Sequence, residues 1–70
     1  MTKATVRWFD KLSQEGIIRV NGESIYINND PVHGYLLTKG QLLDLVSGQE
    51  VEVEVLIDYN WKQISKIKVA

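Results

Sequence analysis

The chain has 70 residues, a net charge of −1 and no cysteine. That length makes one domain, residues 1–70, which buries about 60% of its unfolded surface and has a stability of roughly 3–5 kcal/mol. Disulfides and thiolate metal sites are excluded, no apolar run approaches the ~18 residues of a membrane span, and the opening Met1-Thr2-Lys3-Ala4-Thr5-Val6 lacks the apolar core of a signal peptide, so a soluble cytoplasmic protein is expected.

The first predicted strand is the β-branched and aromatic run at residues 5–9. In the second, Ile18 and Val20 point one way and Ile17 and Arg19 the other. Asn21-Gly22 then gives the strongest short hairpin signal in the chain. In the third strand Ile25 and Ile27 alternate with Tyr26 and Asn28. Asn28-Asn29-Asp30-Pro31 ends it, because Pro31 cannot continue a central ladder. The connection that follows, to Gly48, leaves room for a short helix. Thr38 and Gln41 form a weak capping box, and Leu42, Leu43, Leu45 and Val46 give a stripe that would plug one barrel end. Gly40 limits the length of any helix there.

Ser47-Gly48-Gln49 opens the fourth strand, in which Val51, Val53 and Val55 alternate with Glu52 and Glu54. Asp58-Tyr59-Asn60 separates it from the fifth, at residues 63–69. There Ile64, Ile67 and Val69 break alternation once, which predicts a bulge. The predicted fold is all-β: a five-stranded OB-type antiparallel barrel with a long connection between strands three and four. An SH3-like barrel has the same strand count.

Charge is unevenly spread. Residues 1–22 carry Lys3, Arg7, Lys11 and Arg19 against Asp10 and Glu15, a net of +2. Residues 44–58 carry Asp44, Glu50, Glu52, Glu54 and Asp58 with no base, a net of −5. Residues 59–70 add Lys62, Lys66 and Lys68, a net of +3. A barrel with a basic and an acidic side is one expectation, and a mixed solvated surface the other.

No arrangement suited to catalysis stands out. The single histidine, His33, has no neighbouring Cys or His to share a metal, and no nucleophile triad or phosphate-cradling glycine loop is present. Glu50, Glu52 and Glu54 are spaced to line one face of a strand, where they act as a solubilising edge. Neither an enzyme nor a cofactor is expected.

The run Val6-Arg7-Trp8-Phe9-Asp10 resembles the opening Val-Lys-Trp-Phe-Asn of the cold-shock domain. That family's Lys-Gly-Phe-Gly-Phe-Ile motif aligns with Ser13-Gln14-Glu15-Gly16-Ile17-Ile18, where Gly16 and Ile18 agree. Its Val-Phe-Val-His-Phe strand aligns with Ile25-Tyr26-Ile27-Asn28-Asn29. Leu45, Gly48, Gln49 and Val51 look like the family's Leu-x-x-Gly-Gln-x-Val, and Gln63 echoes its last strand. The likeness spans the chain and is specific at its beginning. It implies an OB-type barrel that stacks single-stranded bases on aromatic rings. Glu15, Ile17, Asn28 and Asn29 stand where the family has rings or an imidazole. Four lost platform positions weaken binding by at least ~3 kcal/mol, about a hundredfold.

The expected activity is weak binding of single-stranded RNA or DNA. Trp8 and Tyr26 would stack bases, with Phe9 as a further ring, although alternation puts it opposite Trp8. Ile17 would give apolar contact and Asn28 would bond a base edge, while Lys3, Arg7 and Arg19 would meet phosphates. Tyr59, Trp61 and Lys62 form a candidate second contact. The rival expectation is a protein-interaction module, an inhibitor or adaptor docked on a polymerase or ribosome. A homodimer covering the Ile17/Tyr26 face is a third.

Overall fold

The computed structural model describes residues 1–30, 32, 37–38 and 40–69. Five strands follow in chain order: β1 (Thr2–Asp10), β2 (Glu15–Val20), β3 (Glu23–Asn28), β4 (Glu50–Asp58) and β5 (Trp61–Val69). They form one antiparallel sheet in the order β3-β2-β1-β4-β5. The sheet curls until its edge strands, β3 and β5, touch without a ladder between them. The result is a half-barrel consistent with an OB-like fold.

Alternation decides what goes inside. Ala4 and Val6 of β1, Ile18 and Val20 of β2, Ile25 and Ile27 of β3, Val51 and Val53 of β4, and Ile64 and Ile67 of β5 make the core with Leu43 and Leu45. Asn21 and Gly22 both have positive φ, and Val20 faces Glu23, so β2 and β3 join through a two-residue turn with the twist a tight hairpin requires. The bulge expected in the last strand is present. Glu54 faces Lys66 and Val55 faces Ile64, which leaves Ser65 as the extra residue.

A second bulge lies in β1. Val6 faces Ile18 and Trp8 faces Ile17, so Arg7 is unmatched. Without it, the inward series Ala4, Val6 would continue to Trp8. The extra residue resets the alternation: Trp8 faces out, and Phe9 turns in against the core. Gly16 sits opposite Phe9 and accommodates that turn. A Cβ at Gly16 would press into the Trp8 carbonyl oxygen and lie 2.9 Å from Phe9 Cδ1.

No helix occurs among the described residues. Thr38 and Gln41 close a turn instead: the Gln41 N–H donates to the Thr38 carbonyl at 3.0 Å, and the Thr38 hydroxyl donates to the Gln41 carbonyl at 2.6 Å. A helix cap would accept from an N–H with that hydroxyl. Gly40 has a φ of +91°, outside the helical region. The stripe beyond it has period two: Leu43 and Leu45 are buried, and Leu42, Asp44 and Val46 are exposed. Pro31 and His33 lie outside the described residues.

Two buried amides hold this connection down. Gln14, in the left-handed region at φ 57°, donates from Nε2 to the Lys11 and Leu43 carbonyls at 2.7 and 2.9 Å. Its Oε1 accepts from Leu43 N–H at 2.8 Å and from Asn29 Nδ2 at 2.9 Å. Asn29 also donates to the Gln41 carbonyl and accepts from Leu37 N–H. No buried side-chain nitrogen or oxygen among the described residues lacks a partner.

Replacing Gly16 with alanine forces the Trp8 carbonyl away and disturbs the β1 bulge. The expected loss is about 2 kcal/mol, read as a lower denaturant midpoint at unchanged slope. An unchanged midpoint would show that the close approach is not needed.

Candidate nucleic-acid interface

The two-residue turn after β2 sets the register of β2 and β3 by counting outward from it. Ile17 thus faces Tyr26, and the β1 bulge brings Trp8 opposite Ile17. Trp8, Ile17 and Tyr26 make one row across three strands on the outer face. Trp8 is 42% exposed and Tyr26 56%, so both rings are open to solvent, with the half-buried Ile17 between them. At about 4.8 Å per strand, the two aromatic positions are roughly 10 Å apart. That spacing suits two separate bases rather than one.

The next row is Asp10, Glu15 and Asn28. The Tyr26 hydroxyl donates diagonally to Glu15 Oε2 at 2.7 Å. This bond raises the phenol's pKa above its ordinary 10.0, with smaller upward contributions from desolvation and the Glu15 charge, while a hydrogen bond from Asn28 pulls it down. Glu15 therefore reaches the rim of the Tyr26 ring, and Asn28 lies opposite Glu15 on the same exposed face of β3.

On the other side of the aromatic row, Arg19 faces Thr5 and Ser24. Lys3 and Arg19 line one shallow cleft of about 250 Å³ with Asn21 and Glu50. Arg7 is exposed on its bulge. Lys3 and Arg19 thus share one cleft with a carboxylate, and Arg7 adjoins Trp8 in the chain.

Trp61 and Lys62 also converge on this face. Tyr26 and Trp61 line a cleft of about 490 Å³ between the β3 and β5 edges, together with Ser24 and Gln63. Lys62 is already engaged there in an ion pair with Glu23 across the gap. Tyr59 does not line the cleft. It stands 94% exposed in the β4–β5 turn, at a φ of 54°.

Three expectations are corrected here. Phe9 does not join the rings, because the bulge turns it against the core. Asn29 is not a stripped platform position. It is fully buried and belongs to the amide pair with Gln14. The charged segments do not form opposite sides either. β4 runs between β1 and β5, so Glu52 faces Lys3 and Lys68, and Glu54 faces Lys66. Glu50, Glu52 and Glu54 do line one strand face, alternating with buried valines.

The Glu15–Tyr26 contact was missed in the sequence, although it follows from the register of the Asn21-Gly22 turn. The β1 bulge left no comparable trace. Among the described residues no group of three or more acidic or histidine side chains could hold a metal, and no helix is long and apolar enough to cross a membrane. No protein-family model matches the chain, and no curated protein matches it significantly.

The Tyr26 phenol favours its neutral form in the folded state, so its contribution is present below its unfolded pKa and is lost as pH rises through the raised folded value. Tyr26→Phe should remove from the tyrosinate absorbance a component that titrates above the ordinary tyrosine value, and flatten the fall in stability above about pH 10. If the component lost titrates at the ordinary tyrosine value instead, the Glu15 bond does not persist in solution.

Proposed function

We propose that this chain is a divergent cold-shock-like OB domain of the cytoplasm that binds single-stranded nucleic acid weakly. The observation that carries the reading is the exposed row Trp8, Ile17, Tyr26. OB-type barrels bind oligonucleotides on the face of strands two and three and on the loops between strands one and two and between four and five. Ile17 and Tyr26 occupy that face, and Trp61 flanks it from the start of β5.

Two stacked bases contribute roughly 1–3 kcal/mol each. Lys3, Arg7 and Arg19 add two or three phosphate contacts, offset in part by Glu15 and Glu50. Affinity on the order of 10–100 µM at low salt follows. Catalysis plays no part in this reading.

The exposed apolar side chains of the β4–β5 hairpin favour a second reading. Leu56, Ile57, Tyr59 and Trp61 are all open to solvent. A protein-interaction module would use that hairpin, either on a nucleic-acid machine or on a second copy of the chain. Its binding would survive nuclease treatment and fail in a variant with Ile57 and Trp61 replaced by serine.

For the first reading, heptathymidine should quench tryptophan emission in the wild type. Trp8→Ala should weaken binding about tenfold, one stacked base. With two or three phosphates engaged, affinity should fall about 25- to 125-fold between 20 and 200 mM salt. An emission spectrum unmoved by high-micromolar oligonucleotide at low salt would reject it.

A further inference from the structure

A carboxylate on a base-binding face repels phosphate, so Glu15 needs a reason to be there. It stands one row from Trp8, Ile17 and Tyr26, with Asn28 directly across from it. The Tyr26 hydroxyl fixes its Oε2 at 2.7 Å. Among the described residues Glu15 accepts no other side-chain hydrogen bond, which leaves one carboxylate oxygen and the spare lone pair of the other for a ligand. Asn28 sits two residues along β3 from Tyr26, on the same exposed face. A base stacked on Tyr26 brings its edge over this rim.

The geometry points to guanine as the base that Glu15 selects, with Asn28 assisting. This inference rests on the nucleic-acid reading above. Guanine presents two adjacent donors, N1–H and the N2 amine, which pair with the two oxygens of one carboxylate. Its O6 can then accept from the Asn28 amide. Adenine and cytosine offer one amine donor beside a ring nitrogen whose lone pair repels the carboxylate. Thymine and uracil offer one N3–H between two carbonyl oxygens. Only guanine meets the carboxylate without an opposed lone pair. Edge recognition of this kind on splayed single strands is how such platforms obtain sequence preference. Glu15 thus costs general affinity and supplies selectivity.

The test uses the whole chain and four thymidine heptamers carrying guanine, adenine, cytosine or thymine at the centre. Dissociation constants are taken from the midpoint of the tryptophan titration, because guanine quenches more strongly by itself. The guanine heptamer should bind about tenfold more tightly than the other three. Glu15→Gln should bring all four within about twofold while tightening the thymine heptamer, since a repelling charge is gone. Glu15→Ala should also abolish the preference. Glu54→Gln removes a charge from the outer face of β4 and should leave the guanine ratio intact.

Equal binding of all four heptamers by the wild type would overturn the role of Glu15 and leave nucleic-acid binding standing. A guanine preference that persists in Glu15→Gln would also overturn it. Binding of none would reject the nucleic-acid reading itself, and the selectivity with it.

Discussion

The unmatched Arg7 in β1 governs what the outer face of this barrel presents. A strand has a period of two, so one extra residue exchanges the inner and outer sets beyond it. Before the bulge, Ala4 and Val6 enter the core; after it, Trp8 faces water and Phe9 packs, half-buried, against that core. Gly16 makes this geometry affordable in space, because any side chain there would meet the Trp8 carbonyl and the Phe9 ring. The indole's availability to a ligand depends on this pairing of one extra residue with one missing side chain.

The other end of the barrel is held by polar groups. A 70-residue chain has few apolar side chains for its core, and the long connection after β3 contributes two of them, Leu43 and Leu45. Gln14 and Asn29 keep these in place by bonding to the backbone at Lys11, Leu37, Gln41 and Leu43. Buried amides are tolerated when every donor and acceptor is satisfied, and such networks specify one arrangement of a loop. Against the cold-shock pattern Asn29 looks like a loss from a binding surface. Its burial beside Gln14 gives it a structural purpose.

The face that remains combines attraction and repulsion. Trp8, Tyr26 and Trp61 offer ring surface, and Arg7, Arg19 and Lys3 offer positive charge. Glu15 and Glu50 stand among them, and Lys62 is occupied by Glu23. On the proposed reading, such a surface would recognise its ligand by stacking and edge contacts more than by its phosphates. The near-zero net charge points the same way, because nonspecific binding to polyanions relies on an uncompensated positive field.

Much of the fold was legible in the sequence. Alternating valines and isoleucines marked the strands and their buried faces, Asn21-Gly22 set the β2–β3 register, and the broken alternation of Ile64 and Ile67 announced the bulge at Ser65. These features are local, carried by residues a few positions apart. Tertiary structure decided the rest: the β1 bulge, the inward turn of Phe9, the Gln14–Asn29 pair, the meeting of Tyr26 with Trp61, and the interleaving of β4 glutamates with lysines from β1 and β5. Each of these joins segments far apart in the chain or depends on how a neighbouring strand is aligned. Periodicity within one strand tells which residues share a face, but it carries no information about which strand lies beside it.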